Sequence, residues 1–249
     1  MARLTRTIRH LGARIACAAG ALGLAGWASP TGEAQVFSPV VREGDRSVQY
    51  RATYLPGEGD RPDQQRHRLH YQQAIDSKWR WRIIAQGSDV ESGDFELNFV
   101  QGELVWQFMD SKTAPWDSAF RFDARAVEGD DGASRVGVNW TNQKDWGPWR
   151  MRALTLTSVD VGDQRRDGLL LQTRFGGYYK LENGPRLALE VLNVYGRTQS
   201  LGSFNDQSHQ IGPAIYGTIG EMSYRTGVLV GVSDGARNYD IRFRLTRGF

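Results

Sequence analysis

Apolar and polar residues alternate along most of the chain from residue 46 to residue 249. Successive side chains of a β-strand point to opposite faces, so this alternation predicts strands with one apolar and one polar face. Turn residues divide the pattern into twelve segments, and none of them has a helical period. The predicted strands are 46–54, 65–75, 78–87, 93–109, 116–127, 134–144, 149–161, 167–181, 186–197, 207–219, 221–233 and 236–249.

Two of these segments depart from simple alternation. In 93–109 the apolar parity changes at Gly102, which indicates either a β-bulge at that glycine or a turn between two short strands. In 149–161 apolar residues occupy both parities, so the sequence does not show which face is buried. Twelve strands are therefore predicted within a range of ten to fourteen.

The last predicted strand ends the chain on an aromatic residue. Its apolar parity carries Tyr239, Ile241, Phe243, Leu245 and Phe249, whereas the other parity is polar or charged. This stretch resembles the closing strand of bacterial outer-membrane β-barrels, in which the strand serves as the insertion signal. The resemblance implies contact with periplasmic chaperones, with the barrel-assembly machinery and with outer-membrane lipids.

A closed antiparallel transmembrane β-barrel with short turns and no plug domain accounts for both the alternation and the terminal strand. This threading places the two-residue turns, Asp76-Ser77 and Gly220-Glu221, on the periplasmic side. It also gathers an aromatic girdle near that side. The girdle consists of Trp79, Trp106, Trp116, Trp149, Tyr179 and Tyr224. A secreted β-sandwich alternates as well, but it explains neither the girdle nor the charged inner faces.

The N-terminal residues have the composition of a secretory signal peptide. Four arginines precede the short apolar run 15–27, and small residues suitable for cleavage follow, which predicts a signal peptide at 1–34. Residues 35–45 are then predicted to be a periplasmic segment before the barrel, 46–249. The chain has 31 Lys and Arg and 28 Asp and Glu; removing four Arg and Glu33 leaves 27 of each. A neutral mature chain gives no support for nucleic-acid binding. The single cysteine, Cys17, lies in the leader, so no disulfide is expected.

The polar parity of each strand is predicted to face the lumen, where basic residues outnumber acidic ones. The candidate lumen residues are Arg51, Arg80, Arg82, Arg121, Arg125, Arg174, Arg225, Arg242, Arg244, Asp123, Glu190 and Asp240, together with Arg68, Lys78, Lys180, His70 and Glu96. Arginines that line a pore favour anions, so one hypothesis is a small anion-preferring channel for small anionic solutes. The other is a structural barrel, filled by arginines that pair with the acids.

An outer-leaflet lipid-modifying enzyme is the alternative function. His209 is predicted at the outer end of its strand and shares parity with the lipid-facing Ile211, where such an enzyme would hold its base. The chain lacks the motifs of known barrel hydrolases, so His209 is the only catalytic candidate. His67 and His70 are three residues apart and would face opposite sides, so neither a metal nor another cofactor is expected.

The chain also resembles the uncharacterised, porin-like outer-membrane β-barrels of proteobacteria. The resemblance rests on the stretches 95–106, 209–213 and 227–231 and extends diffusely over 46–249. It implies a barrel in the bacterial outer membrane and names no substrate.

Overall fold

Twelve antiparallel strands form one closed barrel in the computed structural model, which describes residues 36–91, 93–127 and 133–249. The strands are β1 (Arg46–Leu55), β2 (Gln64–Ala74), β3 (Trp79–Val90), β4 (Glu96–Met109), β5 (Asp117–Val127), β6 (Ser134–Trp146), β7 (Trp149–Val161), β8 (Leu170–Lys180), β9 (Arg186–Arg197), β10 (Ser208–Ile219), β11 (Met222–Gly231) and β12 (Tyr239–Gly248). Each strand pairs with its neighbours in sequence, and β1 pairs with β12. The predicted fold class and strand number are confirmed. The predicted signal peptide lies outside the described residues.

The first and last strands pair over most of their length and close the barrel. The register runs from Ser47 opposite Gly248 to Tyr54 opposite Ile241. Beyond β12, the backbone N–H of Phe249 donates to the carbonyl of Arg46 at 3.1 Å. Closure pairs the backbone groups that an open sheet would leave at its edges.

The connections divide the barrel into two distinct ends. The turn end carries the connections 75–78, 110–116, 147–148, 181–185 and 220–221, which are shorter on average, and also the start of β1 and the end of β12. The loop end carries 56–63, 91–95, 128–133, 162–169, 198–207 and 232–238. Among the described residues, no helix is both long and apolar enough to cross a membrane.

The two faces of the barrel wall differ in polarity. Large apolar side chains are exposed on the outside; Leu69, Ile83 and Leu189 each leave more than half of their surface accessible. Polar and charged side chains such as Gln72, Arg82 and Glu190 are buried on the inside. This distribution is the reverse of the usual one in a water-soluble protein, where large apolar side chains are mostly buried.

β4 corrects one detail of the sequence interpretation. Gly102 pairs in register with both neighbouring strands, so the bulge predicted there is wrong in position. The irregularity against β3 lies nearer the loop end, where Gly87 and Gln86 face Leu97 and Phe99 and leave Asn98 as the extra residue. A second irregularity, against β5, lies between Gln107 and Met109. The bulge at Asn98 turns Phe99 into the interior, whereas the alternation predicts it on the outside.

Candidate functional site: the arginine-lined interior

The structure places most of the predicted lumen residues on the inner face of the wall; Lys180 is exposed at the end of β8. Those that are buried there are Arg80, Arg82, Arg225, Arg242, Arg244, Glu190 and Asp240. Four more line cavities inside the barrel, namely Arg51, Arg121, Arg125 and Arg174. Asp123 pairs with Arg121. His70 is buried on the same face, but Lys78 lies exposed in the turn 75–78 and Glu96 is exposed at the loop end. The buried and cavity-lining residues lie on the predicted inner face, whereas Lys78 and Glu96 are not enclosed in the interior. A role in selectivity stays a prediction for all of them.

Glu103 occupies the centre of the interior charge network. Its carboxylate oxygens lie 3.1 Å from Arg82 Nη1 and 3.1 Å from Arg121 Nη1, and the Glu103 side chain is only 1% exposed. Gln101 Nε2 also donates to it at 2.7 Å. The sequence-based prediction missed Glu103. Leu104 and Trp106 face outward, and successive side chains of a strand point to opposite faces, so Glu103 must point inward.

Other carboxylates bind arginines near the two ends. Glu190 accepts hydrogen bonds from Arg225 and from the hydroxyl of Tyr216. Asp240 pairs with Arg242, its neighbour two residues along β12. At the loop end, Asp160 is shared by three arginines, Arg135, Arg166 and Arg197. These pairs neutralise part of the interior charge.

Several interior arginines have neutral partners instead. Arg125 Nε donates to Gln101 Oε1 at 2.8 Å, and its guanidinium carbon lies 3.9 Å from the centre of the Phe99 ring. Arg68 also lies over Phe99, at 5.6 Å, and donates to Gln86. The negative face of an aromatic ring attracts a cation without removing its formal charge. Because the bulge turns Phe99 inward, its ring contacts two cations, Arg68 and Arg125, in the loop-end half of the interior.

A short N-terminal segment, Val36–Val41, also lies inside the barrel. Val36, Phe37, Ser38 and Val41 are all buried. Gly44, at φ +81°, permits the turn that reverses the chain between this segment and β1, where Asp45 N donates to Arg42 O at 3.1 Å. Residues 36–41, which the sequence predicts as part of a periplasmic segment before the barrel, therefore lie within the barrel wall. This segment is too short to be a plug domain, but it occupies the lumen.

Inner-wall side chains hold the backbone of Val36–Val41. Arg152 Nη1 donates to Val36 O at 3.2 Å, and Thr141 Oγ1 donates to Phe37 O at 3.2 Å. Nearer the turn end, the N–H of Val41 donates to Gln107 Oε1 at 2.6 Å. A segment without regular structure needs such partners when it is buried.

Apolar inner-wall residues cover the side chains of the same segment. Val36 and Phe37 belong to a buried cluster with Leu154 and Leu156 of β7 and Tyr178 of β8. Phe37 also lies under Arg121, with 4.2 Å between the guanidinium carbon and the ring centre. This contact explains why apolar residues occupy both parities of 149–161. The inward-facing Leu154 and Leu156 are the sequence signal for an apolar segment inside the barrel.

Cavities remain on both sides of this filled middle. A cavity of about 250 Å³ opens at the turn end beside Ser38 and Val40. One of about 180 Å³ lies toward the loop end, and a central one of about 60 Å³ touches Phe37 and Glu103. Arg51, Arg68 and Arg174 line both the loop-end and the central cavity. The described conformation thus has two vestibules separated by packed side chains.

His209 is covered rather than free at the rim. Phe204, from the loop 198–207, stacks on its ring at 4.4 Å between centroids. His209 Nδ1 lies 2.9 Å from Asn193 Oδ1, and Nε2 lies 3.0 Å from Gln207 Oε1. Both ring nitrogens therefore contact amides, whereas a catalytic base needs a nitrogen directed at a hydroxyl or at water.

Hydrogen bonds within the loop 198–207 fix the turn that carries Phe204. The N–H and hydroxyl of Ser203 donate to Asp206 Oδ2 at 2.8 and 2.7 Å. These bonds hold the pKa of Asp206 below its ordinary value.

The predicted girdle residues lie at the turn end. Trp79 begins β3 and stacks on Trp106 at 5.6 Å, and Trp149 begins β7 and contacts Tyr179 at 4.7 Å. Trp116 immediately precedes β5, and Tyr224 lies near the start of β11. In β12, Tyr239, Ile241, Phe243 and Leu245 share the outer face, and Phe249 follows the strand.

Comparisons with known proteins find structural likeness without sequence relatives. No family profile matches the chain, and no curated protein sequence matches it. An outer membrane channel from Pseudomonas putida F1 superposes with a TM-score of 0.58 at 11% identity, over 84% of this chain and 97% of that one. A chain from a study of the in-meso crystallization of membrane proteins gives 0.50 at 11% identity, over 82% and 84%. At these identities the likeness concerns the fold, which fits an outer-membrane β-barrel.

Proposed function

We propose that the protein spans the bacterial outer membrane as a small porin-like channel that prefers anions. The observation that carries this proposal is the closed barrel, in which most of the charged residues that line the loop-end and central cavities are arginines. Interior charge governs which ions a pore favours, and here several arginines have neutral partners. Small anionic solutes are the corresponding substrates.

The outer face supports the membrane location. It exposes apolar side chains along the strands, and aromatic residues gather at the turn end. Aromatic rings favour the membrane–water interface, and bacterial barrels keep their short turns in the periplasm. We therefore assign the turn end to the periplasm. The outer face of β12 and Phe249 then form the signal that the assembly machinery recognises, after export by the N-terminal signal peptide.

The described conformation is the closed state in this proposal. Val36–Val41 fills the middle of the barrel, and burial of an apolar side chain such as Phe37 contributes about 1.5–3 kcal/mol. Conduction then requires this segment to leave its apolar cluster. Wild-type protein should show small, infrequent openings.

Planar-bilayer recording tests this directly. A variant with Val36, Phe37 and Val41 replaced by Ser should be open more often and at larger conductance than wild type. A matched control replaces the exposed Arg42 and Glu43 by Ser, which leaves the net charge unchanged. If neither the wild type nor either variant conducts, the channel is refuted and the filled structural barrel is favoured.

A further inference from the structure

The loop-end cavity concentrates positive charge from several strands. The charged residues that line its approximately 180 Å³ are Arg51, Arg66, Arg68, Arg174, Arg242 and Asp240. Asp240 is the single carboxylate among these described lining residues, and it is bonded to Arg242. The cavity wall therefore carries a surplus of guanidinium charge.

Side-chain amides hold three of these guanidiniums without neutralising them. Arg66 donates to Gln64 Oε1 at 2.8 and 3.0 Å, and Arg68 donates to Gln86. Arg51 likewise donates to Gln49. A neutral acceptor orients the guanidinium and leaves its charge available to a ligand, and guanidiniums bind carboxylate or phosphate in bidentate fashion.

The arginines approach the cavity from opposite walls. Arg66 and Arg68 lie on β2, whereas Arg174 lies on β8, six strands away in either direction around the barrel. Leu192 and Val194 of β9 add an apolar strip to the lining. A ligand that matches this wall has an anionic group at each end and carbon atoms between them.

We propose that the loop-end cavity is a binding site for short aliphatic dicarboxylates. One carboxylate binds the arginines of β1 and β2, the other binds Arg174, and the carbon chain lies against Leu192. Pockets for drug-sized ligands measure about 300–1,000 Å³, so this cavity admits only a small molecule. The inference rests on the proposed function, because it names the substrate class of the same channel.

Calorimetric titration of the folded barrel in detergent tests the site without requiring conduction. Succinate should bind about tenfold more tightly than acetate at equal ionic strength, because only succinate engages both walls. Arg174→Gln and, as a second variant on the opposite wall, Arg66→Gln should each weaken succinate binding by about tenfold. The matched control is Arg186→Gln, which removes the same charge from the turn-end cavity and should leave the affinity within about twofold.

Three results would overturn the assignment. Equal affinity for acetate and succinate would show that one carboxylate suffices. Tighter binding of inorganic phosphate than of succinate would identify a different anion class. Equal loss in the Arg186→Gln control would show diffuse charge attraction instead of a site.

Different results refute the binding site and the channel. Anion-selective conductance without succinate binding overturns the site and leaves the channel. Succinate binding in a barrel that never conducts supports the site and overturns the channel.

Discussion

Replacement of Glu103 by Gln tests whether the interior network stabilises the barrel. The substitution keeps the shape of the side chain and removes its negative charge. Arg82 and Arg121, whose Nη1 atoms each lie 3.1 Å from a Glu103 oxygen, then lose their shared anion. Both arginines stay buried; their side chains are 4% and 11% exposed.

The expected loss follows from this burial. Removing one partner of a buried ion pair costs about 3–5 kcal/mol, because the other charge remains buried without compensation. Glutamine retains one amide oxygen as an acceptor, and the neighbouring central cavity of about 60 Å³ has room for water. We therefore expect the lower end, a loss of about 3 kcal/mol in the free energy of unfolding.

Urea unfolding of the barrel in detergent, followed by tryptophan fluorescence, measures the loss. The matched control is Glu221→Gln, which removes the same charge from the pair with Arg247 at the turn end, where Glu221 is 54% exposed. An exposed pair contributes about 0–1 kcal/mol. If Glu103→Gln and Glu221→Gln lower the stability equally, the interior is hydrated enough to screen its charges and the reasoning is wrong.

Two further predictions concern assembly and packing. Phe249→Asp should reduce the yield of folded, heat-modifiable barrel in membranes, since it charges the end of the closing strand; normal yield would contradict the insertion-signal hypothesis. Gly212→Ala should destabilise the barrel by about 1–3 kcal/mol in urea, because its Cβ would lie 1.9 Å from the carbonyl oxygen of Val228, a backbone atom. Gly102→Ala, which has no atom within 4 Å of the new Cβ, is the control, and equal effects would refute the close contact.

Alternation predicted the fold because the barrel wall separates two environments along every strand. An outer face in contact with lipid requires apolar residues at every second position, so period two persists for the whole length of each strand. The bulge lies at Asn98 but was predicted at Gly102. The sequence shows only that the apolar parity changes somewhere between Phe95 and Leu104, and it does not mark the extra residue that causes the change. Asn98 is polar and half-buried, so its residue type does not distinguish it from an ordinary strand residue.

The interior partners could not be predicted from period two alone. Alternation gives the face on which a side chain lies, but the pairing of Glu103 with Arg82 and Arg121 depends on the register between strands. The burial of Phe37 depends on a turn at Gly44 and on apolar residues that β7 presents to the interior. The neighbours of His209 come from β9 and from the loop 198–207, which periodicity does not position.

The reversal potential across a salt gradient tests the central claim, an anion-preferring lumen, most directly. Wild-type protein should give a potential of the sign expected for anions, more strongly at low salt, because the Debye length is about 10 Å at 0.1 M and shortens as salt rises. Replacing Arg80, Arg82, Arg242 and Arg244 by Gln, on β3 and β12, should move the potential toward zero. A wild-type potential of the sign expected for cations would contradict the account.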